Sequence, residues 1–168
     1  MMESRDREIK SLLDAAESDD LRRSRLKEVI NGIIDFREMG KTALGDHWTN
    51  ISEQERDSFV TVFSQIVRDQ SISNLDIYRA SITYDGISVE GSTAVVRTST
   101  VYKDVPARVE YHLHKSARNE NRWMAHDFLL DDVSTAQGYA RSFQSVVRKR
   151  GFDALMSSLR KKQSQIAK

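Results

Sequence analysis

The hydrophobic period of this chain changes twice along its 168 residues, and that double change admits few folds. Up to about residue 76, apolar residues recur at helical spacing. Ile9, Leu12, Leu13 and Ala16 form one set, and Leu26, Val29, Ile30, Ile33 and Ile34 form the next, after a Ser18-Asp19-Asp20 cluster suited to N-capping. From about residue 77, SITYDGISVEG, STAVVRTSTVYK, ARVEYHLHKS and RWMAHDFLL are β-branched and aromatic with partial alternation, which marks half-buried strands. From Val133 helical spacing returns. Tyr139, Phe143, Val146 and Val147 share one face, and Phe152, Leu155, Met156 and Leu159 another. The expected class is therefore α+β: N-terminal helices, a four-stranded antiparallel sheet, and C-terminal helices packed on one sheet face. A single domain over 1–168 is expected, with a helical segment at 1–25, helices at 26–76, the sheet at 77–131 and closing helices at 132–163. Gly91-Ser92, Asp104 to Pro106 and Ser116 to Asn121 read as the strand connections.

The stretch LGDHWTNISEQERDSFVTVFSQIV contains the clearest local signal. Ser52 followed by Glu55 fits a capping box with Ile51 as staple, and Phe59, Val62, Phe63, Ile66 and Val67 then form one apolar stripe. A short helix carrying Phe36, Met39 and Leu44 is expected before it, ending at Gly45.

Charge and composition exclude several functions. Lys plus Arg number 26 against 25 Asp plus Glu, and a general nucleic-acid binder carries a basic excess instead. With no cysteine, disulfides, thiolate zinc sites and cysteine nucleophiles are all removed. No apolar run approaches the ~18 to 20 residues of a membrane span. MMESRDREIKSLL has no apolar signal core or cleavage pattern. The chain is thus expected to be either cytoplasmic or a mature form without its leader.

The chemical motifs are weak. Met39-Gly40-Lys41-Thr42 suggests a phosphate loop, but Asp35 stands where that loop needs glycine, and Ile33-Ile34 belong to a helical stripe. Asn50-Ile51-Ser52 is a chance glycosylation triplet whose serine caps a helix. His112 and His114 share a strand face, and with His126 they form a conceivable three-histidine zinc site. Their neighbours Arg108 and Glu110 place them on the solvent side, so no metal is expected. His126 and Asp127 are the best acid–base pair, although Asp127 near a strand end more simply satisfies backbone amides. Serine-nucleophile elbows are absent. The basic run from Arg148 to Arg150 suits a helix C-terminus.

What remains is apolar surface. The stripes fill a core or line a cavity, and periodicity does not separate the two. Ala94, Val96, Thr98 and Thr100 are small and share one strand face, which favours a cavity. Three readings stay open. One is a ligand-holding pocket. The second is a small-molecule enzyme on a cup-shaped sheet of the nuclear-transport-factor kind, using Asp127, His126 and Tyr111. The third is a cavity-free interaction module.

An ordered set of residues then resembles the MlaC/toluene-tolerance family. Leu44-Gly45, Trp48, Ser52, Glu55-Arg56, Phe59 and Phe63 match its opening signature. Ala94, Val96 and Thr98 resemble one family strand, Pro106, Val109, Tyr111 and Leu113 the next, and Trp123 with Asp127 the last. Tyr139 and Phe143, then Gly151, Leu155, Leu159 and Lys162, match its closing helices. The resemblance runs from Ile30 to Lys162. Asp132, Gly138, Ala140 and His126 replace the family's glycine, asparagine, arginine and aromatic, as in a divergent branch handling hopanoid-type lipids.

The resemblance implies a periplasmic shuttle without enzymatic activity or cofactor. It would carry phospholipid or a hopanoid-type lipid between an inner-membrane ABC transporter, with its substrate-binding protein and permease, and an outer-membrane lipoprotein complex. It would act as a monomer with only peripheral membrane contact. The acyl chains would lie in an apolar pocket between sheet and helices. The implied lining is Ile33, Phe36, Leu44, Trp48, Phe59, Phe63 and Val67 from the first helices, and Val96, Thr98, Tyr111 and Leu113 from the sheet. Tyr139, Phe143 and Val147 come from the closing helices, with Arg97 and Arg141 as headgroup candidates.

Overall fold

A computed structural model describes residues 1–16 and 18–166. The chain forms α1 (Met2–Asp14), α2 (Asp19–Asn31), α3 (Phe36–Leu44), a 3-10 turn (Gly45–Asn50), α4 (Glu53–Ser71) and a second 3-10 turn (Leu75–Arg79). The sheet follows as β1 (Ile82–Glu90), β2 (Thr93–Tyr102), β3 (Val105–Ser116), β4 (Arg122–Leu130) and β5 (Val133–Ser134). Helices α5 (Thr135–Arg150) and α6 (Phe152–Ile166) close it. The sheet is an antiparallel meander in the order β1-β2-β3-β4-β5.

Local chemistry sets most boundaries. Ser52 Oγ accepts from the Glu55 N–H at 3.2 Å, and the Glu55 carboxylate accepts from the Ser52 N–H at 2.7 Å. This is the expected capping box, and it starts α4. The bond holds the Glu55 carboxyl below its usual range. Ser18 is the N-cap of α2 but makes no side-chain cap bond, and Asp19 and Asp20 support that helix through its dipole, Asp19 also pairing with Arg22 one turn on. At the end of α5 the basic residues Arg148 to Arg150 meet the dipole's negative pole.

Three elements depart from the expectations. Ile33 and Ile34 continue the helical spacing in sequence but lie outside any helix. Helix α2 stops at Asn31, and Ile34 forms a parallel bridge to Ala125 of β4 instead. The Ala125 N–H donates to Ile33 O at 2.6 Å and the Asp35 N–H to Ala125 O at 2.8 Å, bonds that offset the lost helical turn. The sheet has five strands, not four. Asp131 and Asp132 both take positive φ, 45° and 68°, a tight turn that folds Val133 back onto Leu130. Val133 and Ser134 are therefore strand, and α5 starts at Thr135. A two-residue strand is too short to register as a period. Finally, Lys103 and Asp104 alone make the β2–β3 turn, with φ of 50° and 64°. Pro106 sits inside β3 opposite Val101, near the strand end, where its missing N–H matters least.

Two apolar clusters result. The main one joins α3 to α6 to the inner face of the sheet, with Phe59, Phe63, Met39 and Leu44 fully buried beside Val96, Leu113 and Ala125. The second binds α1, α2 and the end of α4 through Ile9, Leu12, Leu13, Leu26, Ile30 and Ile72. Met2 reaches past this second cluster into the main core. Helices α3 and α4 meet closely because Gly40 faces Phe59. A Cβ there would stand 3.0 Å from Phe59 Cε1. Gly40→Val is expected to cost about 1–3 kcal/mol by overpacking, read as a lower urea midpoint with an unchanged slope.

Candidate functional site

The inner sheet face is built by alternation. Residues two apart on a strand share a side, and a bulge between Tyr84 and Gly86 shifts β1 by one residue, so Tyr84, Ile87 and Val89 of β1, Ala94 and Val96 of β2, Leu113 of β3 and Trp123 of β4 converge. Register sets them opposite one another: Val96 pairs with Ile87 and with Tyr111, and Leu113 with Ala94 and Ala125. The N-terminal turn of α1 closes over them with Met1 and Met2. Between them lies an apolar cleft of about 280 Å³. Its rim is open on β1, where Ile87 and Val89 are 65% and 59% exposed. A second apolar groove of about 500 Å³ runs among α4, α5 and α6, lined by Phe63, Ile66, Tyr139, Phe143, Val146 and Leu159.

The implied lining residues divide among these places. Val96 and Leu113 line the cleft under α1, and Phe63, Tyr139 and Phe143 line the helical groove. Phe59 stacks on Phe63, with ring centroids 5.4 Å apart, and meets Phe143 edge-on at 6.0 Å. Ile33, Phe36, Leu44 and Thr98 are buried in packed core, and Val67 and Val147 are partly buried against it. Thr98 Oγ1 donates to Val109 O across the β2–β3 pair at 3.0 Å. Trp48 is an outer anchor. The guanidinium groups of Arg37 and Arg56 lie 5.2 and 5.4 Å from its ring centroid. Tyr111 packs edge-on against Phe128 at 5.5 Å, and burial pushes its hydroxyl pKa up.

Neither headgroup candidate lines the cleft under α1. Arg97 lies on the outer sheet face, bonded to Ser88 at 2.9 Å and paired with Glu110 at 3.3 Å. Arg141 is exposed on α5, beside the buried Ala140. Sequence reasoning passed over Met2, Tyr84, Ile87, Val89 and Trp123 as cleft residues. Alternation in ISVEG and RWMAHDF contained that signal, but only the register shows which face meets α1.

The acid–base pair is spoken for. Asp127 Oδ1 accepts from the Phe128 N–H at 2.8 Å and the Ala136 N–H at 2.9 Å, while Oδ2 accepts from the Ser134 hydroxyl. The carboxylate thus ties β4 to the start of α5, where it also meets the helix dipole. His114 is not on open surface. Its Nε2 lies 3.0 Å from Oδ2 of the buried Asp35 at the start of α3, while His112 Nε2 faces Glu110 at 3.2 Å. The three imidazoles do gather, with the His126 ring 5.5 Å from His114 and 6.4 Å from His112. No group of three metal-ligating side chains suited to an ion occurs among the described residues.

Taken together, the fold defines a class: an antiparallel sheet whose inner face is roofed by helices, with apolar clefts and no converged polar constellation in them. The family model described as MlaC protein matches residues 5–161. The chain therefore belongs to the MlaC family. Its fold is similar to that of the phospholipid-binding protein from Ralstonia solanacearum, solved in complex with a phospholipid. The two share a TM-score of 0.80 at 20% identity, over 99% of this chain and 94% of that one. No curated protein matches the sequence. Among the described residues, no helix is long and apolar enough to cross a membrane.

Two outcomes test these assignments. Burial, followed by the charges of His114 and His112, holds the His126 pKa below 6.5 against the pull of Asp127 and Glu38. The unfolded chain then takes up the proton first as pH falls. This contribution to stability is whole above the unfolded value and declines as pH drops toward the folded one. Thermal melts between about pH 7.5 and 5 are expected to show a shallower acid-side decline in His126→Gln. Asp127→Ala is expected to lower unfolding free energy by about 1–3 kcal/mol, measured in urea.

Proposed function

We propose that this protein is a periplasmic lipid carrier. It would take phospholipid, or a hopanoid-type lipid, between an inner-membrane ABC transporter with its substrate-binding protein and an outer-membrane lipoprotein complex. It would do so as a monomer, without cofactor or chemistry of its own. The observation that carries this reading is the apolar cleft formed by one face of four strands and α1, in a chain of the MlaC family. A fold shared with a phospholipid-bound protein supports it. The tying of Asp127 to backbone amides favours a carrier over an enzyme that would use Asp127 as its general base.

Energetics explain why a carrier needs shape more than chemistry. A two-chain phospholipid has about 30 methylenes, and at ~0.8 kcal/mol each their transfer from water is worth on the order of 20 kcal/mol. A membrane already supplies that gain. The cleft need only match it, and small differences at docking partners then decide the direction of handover. At about 280 Å³ the cleft holds about nine groups of water's size, fewer than two acyl chains contain. In this reading loading parts the N-terminal turn of α1 from the sheet, while Phe63, Tyr139 and Phe143 line a second chain site among the helices.

The test is lipid extraction and native mass spectrometry of the protein purified from a bacterial host. A near-stoichiometric phospholipid is the expected result, and a lipid-free mass overturns the phospholipid reading. Val96→Glu, with its carboxylate in the cleft, is expected to lose most bound lipid while keeping its far-UV circular dichroism. Undiminished lipid in that variant removes Val96 from the site.

A further inference from the structure

Helix α1 delivers one residue to the interior that the fold does not satisfy. Met2 enters the main core, and three positions later Arg5 follows it with a side chain only 11% exposed. Its guanidinium lies 5.9 Å from the Tyr111 ring centroid. Nη1 stands 3.7 Å from Asp6 Oδ1, beyond hydrogen-bond reach. Both Nε and Nη1 are sealed from solvent, and neither has a hydrogen-bond partner. Asp6 is better served, since Tyr84 donates its hydroxyl to Asp6 Oδ2. The carboxylate of the pair is engaged, while two of the cation's donors, Nε and Nη1, are unspent. Buried charged donors without acceptors are costly and uncommon, so this pair is a poor stabilising device.

Tyr84 stands at a junction. On one side it lines the apolar cleft with Val96, Leu113 and Trp123. On the other it lines a polar cleft of about 280 Å³ that holds Glu3, Asp6, Arg7 and Lys10 of α1. An amphiphile laid across Tyr84 therefore has its chain on the sheet and its head in the charged cleft beside α1, where Arg7 and Lys10 stand with Glu3 and Asp6.

We propose that this junction is the headgroup site, with Arg5 as its anion-binding residue. Its Nε–H and Nη1–H, on different edges of the guanidinium, each lack an acceptor that a phosphate oxygen would supply, and Arg7 and Lys10 place positive charge at the open end beside Glu3 and Asp6. This inference rests on the carrier reading and adds the chemical group recognised and the residue that recognises it. A lipid phosphodiester and free phosphate share this chemistry.

The experiment uses the full chain, stripped of lipid, in native mass spectrometry against dioleoyl phosphatidylglycerol and chain-matched dioleoylglycerol. The wild type is expected to prefer the phospholipid, and Arg5→Met to lower that preference about tenfold, one charge-assisted bond's worth, while still binding the diacylglycerol. Arg5→Lys, which keeps the charge and loses the planar guanidinium, is expected to fall between them. An unchanged preference in Arg5→Met overturns the site. So does an equal loss of both lipids with an unchanged melting curve.

Should Arg5→Met fail to fold, the wild type decides. Its ¹⁵N-labelled Arg5 Nε–H resonance is expected to shift with phosphatidylglycerol and not with dioleoylglycerol. No shift with the phospholipid overturns the proposal, as does a shift with inorganic phosphate alone, which makes this a free-anion site. A wild type that holds neither lipid overturns the carrier reading itself and this inference with it.

Discussion

One buried carboxylate joins the two halves of this molecule. Asp35 caps α3 by accepting from the Glu38 N–H at 3.2 Å, and its other oxygen meets Ser116 Oγ and His114 Nε2 of β3, each at 3.0 Å. Its own N–H bonds β4 through Ala125 O. A buried charge persists only where its lone pairs are filled, and Asp35 fills them from a helix start and the end of a strand. The position of α3 over the sheet follows from this, and so does that of α4, which Gly40 brings against it. The cleft and the helical groove are what these positions leave open.

The proposed carrier role would require apolar cargo to be held firmly enough to cross water and loosely enough to be released. The helical core meets the first demand through aromatic packing of Phe59, Phe63, Tyr139 and Phe143, whose offset and edge-on contacts add to their burial. Helix α1 suits the second. It is anchored mainly in the smaller cluster with α2, and only its N-terminal turn reaches the main core. An element that closes a cleft yet belongs to a different cluster can part from it without dismantling the principal core.

Around Arg5 the interior is phenolic. Burial pushes the Tyr78 hydroxyl up to about 12, with the Arg5 charge opposing, and raises Tyr84 and Tyr111 in the same direction. These hydroxyls stay neutral throughout the physiological range. They offer a guanidinium acceptor oxygens and ring faces without a compensating negative charge, and Asp6 supplies a carboxylate beside it.

Much of this architecture is legible in the chain itself. The capping box at Ser52 and Glu55, the apolar stripe of α4 and the alternation of β2 and β3 depend on residues close in sequence, so neighbouring side chains determine them. The small inner-face residues Ala94, Val96 and Thr98 belong to the same local record, as does the family signature between Ile30 and Lys162. The tertiary structure alone decided the rest. Ile33 and Ile34 left their helical period because β4 offered backbone bonds at Ala125. His114 left the surface because Asp35, 79 residues away, needed a partner. Arg5 became a buried cation only when α1 crossed the cup. Periodicity reports which faces are apolar, whereas long-range register decides what each face meets, and a site is made of such meetings.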